Sequence, residues 1–239
     1  MHNDQATGLR QLFARRTRRL LGVGGLDATP VVDELASALA ELGSRVLVID
    51  RTRGELARRL GLKVRWELAH VISGDRCLAD VLIELPGGIT ILPAARGLDE
   101  LALSSTASEG GWQTRLADWL GEAGCDCDLW LVNGLPPAGG EADVLLAIEP
   151  TAAGITGAYA QIKALAQCGG HRSFAIAVRA DCDEIARATF ARVASTAKRF
   201  LAADVDYRGS IPGEHDAPPR RQALLRLAES LLIPTPSFI

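Results

Sequence analysis

The chain has 239 residues, of which 48% are apolar and 23% charged, and its formal net charge is −3. This composition is typical of a folded globular protein and excludes intrinsic disorder as the main state, while the length predicts one large domain. The acidic balance gives no general attraction to nucleic acid, so direct nucleic-acid binding is not expected. No apolar stretch approaches the ~18 residues of a membrane span, and the first residues lack the order of a secretory signal, so we expect a cytoplasmic protein.

The first 19 residues differ in composition from the rest and predict a tail. A helix that begins near Asp4 would place four apolar residues on one face, namely Ala6, Leu9, Leu12 and Phe13. So short a helix is not stable alone, so its apolar stripe must dock on its own domain or on a partner. Four arginines follow, at positions 15, 16, 18 and 19. We therefore divide the chain into an N-terminal tail with a basic linker, 1–19, and an α/β domain, 20–239.

From Leu20 onward, apolar strands alternate with amphipathic helices, which predicts a mostly parallel, twisted sheet with helices on both faces. A first strand leads into Gly24 and Gly25, Thr29 is the expected N-cap of the first helix, and Gly43 ends it. Further strands are predicted over 46–49, 89–92, 129–132, 144–148 and 174–178. Further helices are predicted over 112–123, 156–166 and 184–200.

A last amphipathic helix is predicted over 219–232, with five apolar residues on one side: Leu224, Leu225, Ala228, Leu231 and Leu232. Such a helix could lie on a membrane surface. Packing on the parent sheet is the favoured interpretation, because few arginines accompany the apolar side and Glu229 interrupts the polar face.

The sequence gives little support for a metal site or for a redox-active cysteine pair. The four histidines, at positions 2, 70, 171 and 215, show no ligand spacing, so no metal site is predicted. Only Cys125 and Cys127 lie close together, and no histidine is near them in the sequence. We interpret them as structural or incidental thiols rather than a redox pair.

The first strand–helix turn, 22–29, is the natural phosphate site of such a sheet. A working P-loop needs glycines, a lysine and a hydroxyl. Gly24, Gly25 and Thr29 supply the glycines and the hydroxyl. Ala28 stands where the lysine belongs, and the carboxylate of Asp27 would repel the phosphates. Losing the lysine alone weakens binding by about 10- to 100-fold, since a charged hydrogen bond contributes roughly 1.5–3 kcal/mol.

The predicted site also lacks some of the carboxylates that magnesium would need. Asp50 ends its strand where magnesium chemistry would need a carboxylate. Thr52 and Asn133 are neutral where further carboxylates would be expected. The sequence therefore predicts a degenerate nucleotide site without catalytic residues.

These segments resemble the MinD/ParA family of deviant Walker A ATPases, and within it the FlhG (FleN) branch, which controls flagellar number and placement in bacteria. The resemblance covers nearly the whole chain. It rests on the loop 24–29, on 45–54 as first switch, on 128–136 as Walker B strand, and on two longer segments, 149–163 and 200–212. It implies a P-loop NTPase fold with ATP and magnesium as cofactors. Because lysine is missing at 23 and 28 and acid at 52 and 133, we expect no cofactor here and a pseudo-ATPase.

The sharpest match is at the N-terminus, where residues 4–10 fit the Asp-Gln-Ala-x-x-Leu-Arg motif of FlhG. In that family this tail binds the signal-recognition-type GTPase FlhF and stimulates its hydrolysis. Carried over residue by residue, the partner contacts are Asp4, Gln5, Ala6, Leu9 and Arg10, with Gln5 reaching toward the partner's active site. The resemblance also implies flagellar switch (C-ring) proteins or a flagellar transcription regulator as partners, and allows a position at the cell pole or the inner membrane face.

Two alternatives stay open. In the first, an arginine such as Arg51 or Arg53 replaces the lysine, and the protein is an active ATP-hydrolysing switch. In the second, the arginine cluster serves nucleic-acid or membrane partitioning, which the acidic overall balance opposes.

Overall fold

The computed structural model describes residues 19–105, 111–138, 142–168, 173–213 and 217–232. Within these ranges, eight strands form one sheet in the order β3-β4-β2-β5-β1-β6-β7-β8. The strands are β1 (Arg19–Gly24), β2 (Val46–Asp50), β3 (Ile83–Leu85), β4 (Ile89–Pro93), β5 (Leu129–Asn133), β6 (Asp143–Ile148), β7 (Ser173–Arg179) and β8 (Asp204–Ile211). All neighbours pair in parallel except β3 and β4, so the predicted mostly parallel sheet is confirmed.

Helices cover both faces of the sheet, as predicted. They are α1 (Thr29–Glu41), α2 (Glu55–Arg59), α3 (Leu68–Ile72), α4 (Gly97–Ser104), α5 (Gly111–Glu122), α6 (Ala152–Cys168), α7 (Asp183–Leu201) and α8 (Ala217–Leu232), with a 3₁₀ turn at Leu78–Asp80. Alternate residues of each central strand enter opposite cores. One core contains α1, α2 and α8, and the other face is covered by α3 to α7.

The start of α1 corrects one prediction, because Thr29 is not its N-cap. Ala28 occupies that position without a side-chain cap, and its carbonyl accepts the amide of Val32 at 3.0 Å. Thr29 is the first helical residue, and Pro30 follows it. The hydroxyl of Thr29 bonds to side chains of other elements instead, as described below. The predicted end of the helix is confirmed, since Gly43 adopts φ +86°.

Several elements were not predicted from the sequence. β3 has only three residues, and β8 is an edge strand whose polar, half-buried pattern hides its strand character. The short helices α2 and α3 have five residues each, which is too few for a periodic pattern. The predicted central strands and helices are present, with ends that differ by one to four residues.

The C-terminal helix α8 packs on α1 and the sheet, which confirms the packing interpretation. Leu224, Leu227, Ala228 and Leu231 are buried in the same core as α1. The buried Arg220 donates from Nε to Oε2 of Glu34 at 2.6 Å and to the carbonyl of Pro212. Within the described ranges, no helix combines the length and apolarity that crossing a bilayer requires.

Candidate nucleotide site

Three adjacent strands bring the predicted site residues together at the carboxyl edge of the sheet. In the order β2-β5-β1, Asn133 at the end of β5 is the register partner of Asp50 on one side and of Val23 on the other. The loop that leaves β1 therefore lies beside both polar side chains. This is the edge at which parallel α/β sheets bind ligands.

Asn133 connects the three elements through its side-chain amide. Its Nδ2 donates to Oδ1 of Asp50 at 3.0 Å and to Oγ1 of Thr29 at 3.3 Å. The Thr29 hydroxyl in turn donates to Oε2 of Glu55 at 3.2 Å. Asp50, Asn133 and Thr29 are each at most 5% exposed, so these bonds lie away from bulk water.

Asp50 also organises the turn between β2 and α2. Its Oδ1 accepts both the backbone amide of Thr52, at 3.0 Å, and the Thr52 hydroxyl, at 2.6 Å. The Thr52 hydroxyl accepts the amide of Glu55 at 3.1 Å. We call the five residues Thr29, Asp50, Thr52, Glu55 and Asn133 the strand-edge polar cluster. Each of its side chains bonds to another member, so the cluster satisfies itself without a ligand.

The β1–α1 loop is held tightly against the neighbouring strand. Gly25 has φ +126°, and a Cβ at this position would overlap the carbonyl group of Ala147 in β6. A Cβ at Gly24 would lie 2.7 Å from a side-chain carbon of Leu135. Close packing against backbone thus requires glycine at position 25, whereas the atoms nearest to Gly24 are the ends of side chains.

Asp27 was expected to face the phosphates of a bound nucleotide. The structure places it against Arg179 instead. It adopts φ +53°, a left-handed conformation that aspartate tolerates better than most residues. Its carboxylate is largely exposed and lies 3.7 Å from the Arg179 guanidinium, which also donates to the Asp27 carbonyl at 3.2 Å. Arg179 lies 3.3 Å from Glu149 as well. The loop is therefore tied to the ends of β6 and β7 by an arginine that sequence reasoning did not single out.

The arginine suggested as a replacement for the P-loop lysine is engaged elsewhere. Nη2 of Arg51 donates to both carboxylate oxygens of Asp99, at 2.7 and 2.8 Å, and Nη1 donates to the carbonyl of Leu135. Arg53 is exposed. Ala28, at the lysine position, is buried and carries no charge.

ATP with magnesium, the cofactor of such a fold, does not fit the residues present. The loop has no lysine, and its single hydroxyl already donates to Glu55. At Oδ1 of Asp50 a hydrated magnesium ion would compete with three hydrogen-bond donors.

A cavity of about 260 Å³ opens at the carboxyl ends of β6, β7 and β8. It is lined by Glu149, Pro150, Thr151, Arg179, Ala180, Asp181, Gly213 and Arg220. Arg179 pairs with Glu149 and Arg220 with Glu34, and the amide of Gly213 donates to Asp181 at 2.6 Å. Nη2 of Arg220 is buried without a hydrogen-bond partner. No periodic sequence pattern marks these residues, because they come from four separate segments.

The cysteine pair lies before β5, away from the strand-edge polar cluster. The sulfurs of Cys125 and Cys127 are 3.4 Å apart. The contact with Cys125 and burial raise the pKa of the Cys127 thiol, which lowers its reactivity. Structural or incidental thiols remain the interpretation. The five predicted partner residues between Asp4 and Arg10 lie outside the described residues.

The buried carboxyl of Asp50 makes stability depend on pH. Burial raises its pKa, with a smaller contribution from the nearby Glu55, while hydrogen bonds from Thr52 and Asn133 oppose the shift. Because the folded state then binds more protons than the unfolded state, the free energy of unfolding falls as pH rises from the unfolded pKa through the folded one. We expect Asp50→Asn to be more stable than the natural chain at pH 7.5, since asparagine can accept the same three hydrogen bonds, and to lose that advantage near pH 4.5.

Urea unfolding at the two pH values measures this difference. The control is Asp118→Asn, an exposed residue of α5, for which we expect nearly the same change at both pH values. An Asp50→Asn chain that is destabilised more at pH 7.5 than at pH 4.5 would contradict this expectation and show that the cluster needs the charged carboxylate.

Comparison with known proteins identifies the family and the fold. Antiactivator FleN of Pseudomonas aeruginosa is 34% identical over 204 residues, which cover 80% of this chain and 71% of FleN. The MinD cell division protein of Aquifex aeolicus matches 90% of this chain and 99% of its own, at 22% identity and a TM-score of 0.64. McdA of Cyanothece, in its ATP complex, matches 91% and 98% at 18% identity and a TM-score of 0.59. No family model matches the chain.

The eight-stranded sheet and its glycine-containing β1–α1 loop define an α/β protein of the P-loop NTPase class, MinD/ParA type. The chain belongs to the FleN (FlhG) family of MinD/ParA-type proteins. The resemblance drawn from the sequence is therefore confirmed.

Proposed function

We propose that this protein is a flagellar regulator that has lost its ATPase activity and acts through its N-terminal tail, which binds an FlhF-type GTPase and stimulates GTP hydrolysis. The observation that carries the proposal is the contrast between two parts of the chain. The nucleotide site departs from a working P-loop, whereas residues 4–10 retain the full Asp-Gln-Ala-x-x-Leu-Arg pattern.

The strand-edge polar cluster supports the first half of this proposal. A nucleotide that used the Thr29 hydroxyl would have to break its bond to Glu55, and a cation at Asp50 would compete with three donors. Each lost hydrogen bond costs about 1 kcal/mol, and no lysine compensates.

Family membership supports the second half. The FleN relative carries the designation antiactivator, which favours a regulatory role and an activator protein, such as a flagellar transcription regulator, as a further partner. Flagellar switch proteins are the other proposed partners. All of these roles require binding surfaces and none requires hydrolysis by this chain.

Deleting residues 1–13 is expected to return the GTP turnover of the bacterium's FlhF-type GTPase to its unstimulated rate. Gln5→Ala is expected to lower the stimulation on the order of hundredfold, because one positioned hydrogen-bond donor at a reacting centre commonly contributes that much. Steady-state phosphate release measures both effects.

Gln11→Ala is the matched control, since it removes the same side chain from the same tail outside the motif. It should stimulate like the natural chain. The deletion leaves β1 intact, so the shortened chain should still unfold in one cooperative transition. Full stimulation by the deleted chain would overturn the proposal.

A further inference from the structure

The outward side of α8 carries a shallow groove that nothing in the described structure covers. It has a volume of about 440 Å³ and is lined by Pro218, Arg221, Gln222 and Leu225. These residues are spaced by three, four and seven positions, so they form one helical stripe. Leu232, seven residues after Leu225, continues the stripe and is 40% exposed. The groove adjoins the face of α8 that packs on α1, because Leu225 is only partly buried against the shared core and Arg221 donates to Oε2 of Glu41 in α1 at 2.7 Å.

The N-terminal tail leaves the domain beside this helix. β1 begins at Arg19, whose guanidinium donates to the carbonyl of Leu231 near the end of α8 and lies 2.7 Å from Asp143. α8 follows β8, so it runs from the carboxyl edge of the sheet back to the amino edge, where β1 starts. A tail that continues backward from Arg19 therefore starts at one end of the groove.

The tail also has the length to occupy the groove. The six residues from Phe13 to Arg19 span at most ~20 Å. Leu225 and Pro218 lie six and thirteen residues before Leu231, which is about 9 and 20 Å along a helix. The apolar stripe from Ala6 to Phe13 covers eight residues, the same span as the stripe from Pro218 to Leu225.

Charge favours the same arrangement. The linker between stripe and strand contains three arginines besides Arg19, at positions 15, 16 and 18. It would run beside the C-terminal end of α8, where the helix dipole is negative and where Glu229 is exposed. Arg19 already bonds to a carbonyl at this end.

We propose that the tail, residues 6–13, docks into the α8 groove and thereby holds the protein in a closed state. Docking buries Ala6 and Leu9, two members of the motif that, under the proposed function, contact the GTPase. The closed and the GTPase-bound states then exclude each other, and the apparent affinity for the GTPase falls by the fraction of chains that are open. The α8 groove is thus an autoinhibitory site for this chain's own tail.

Disulfide trapping in the isolated full-length chain tests the docking without any GTPase. The variant Leu9→Cys with Gln222→Cys is oxidised with glutathione disulfide at micromolar concentration, and linked peptides are identified by mass spectrometry. Its matched control is Leu9→Cys with Ala191→Cys. Ala191 is exposed on α7, on the opposite face of the sheet, and lies ten residues before the end of its helix, as Gln222 does.

We expect an intramolecular link from position 9 to 222 at least about tenfold faster than to 191, independent of protein concentration, because tethering gives millimolar effective concentrations. Adding Leu225→Asp should slow it by about tenfold. Equal rates for the two pairs, or links only between chains, would overturn the proposal. A faster link from Phe238→Cys to Gln222→Cys that excludes position 9 would do so too, since it would place the C-terminal segment in the groove.

The outcome is independent of the proposed function. If the trapping fails while deletion of residues 1–13 still abolishes GTPase stimulation, only the docking is wrong. If trapping succeeds and stimulation is absent, the tail docks but does not serve that GTPase.

Discussion

Calorimetric titration of the purified chain with ATP or ADP and magnesium is expected to give no binding heat up to millimolar nucleotide. The loop has lost its lysine, which weakens binding by about 10- to 100-fold. A nucleotide would also have to displace the Glu55 carboxylate from Thr29, and this negative charge would then lie near the phosphates. The two effects multiply, so the expected affinity is weaker than the range of the measurement.

Micromolar binding with magnesium-dependent hydrolysis would contradict this expectation and restore the nucleotide-switched alternative. Arg51→Ala and Arg53→Ala then identify the replacement for the lysine. Arg51 bonds to Asp99 and to the carbonyl of Leu135, so its use would require these bonds to break, whereas Arg53 is exposed. Thermal midpoints of both variants show whether any loss of binding reflects the site or the fold.

Gly25→Ala is expected to destabilise the protein by about 3–5 kcal/mol, among the largest effects of any single methyl group in this chain. The added carbon would overlap the carbonyl of Ala147, and the backbone at φ +126° is one that residues with a Cβ rarely adopt. β1 and β6 would have to separate to make room. Urea unfolding measures the loss.

Gly43→Ala separates the two causes. Gly43 also has a positive φ, +86°, but a Cβ there meets nothing within 4 Å. We therefore expect Gly43→Ala to lower the free energy of unfolding only by the conformational cost of a positive φ, about 1–2 kcal/mol. Equal losses in the two variants would mean that the contact with Ala147 contributes nothing.

Much of the site could be predicted from the sequence because parallel strands end at a common edge. Asp50 and Asn133 each follow an uninterrupted apolar run, and their alignment with the β1–α1 loop follows from any doubly covered parallel sheet. The missing lysine is likewise visible without a structure. Glu55 was not predicted as a partner, since it enters the cluster through a turn and a five-residue helix without a periodic pattern.

The sequence by itself determined the fold class, the family and the degenerate character of the loop, because these depend on local pattern and on residue identity. Only the tertiary structure decided which partners the charged side chains have. Asp27 and Arg179 are 152 positions apart, and Arg51 and Asp99 are 48 apart, so no local rule predicts either pair. The same holds for Arg19 and Leu231, which bring the start of β1 and the end of α8 together. Pairing between distant residues depends on how β1, β6, β7 and α8 pack, and the hydrophobic pattern specifies the faces of these elements but not their polar partners.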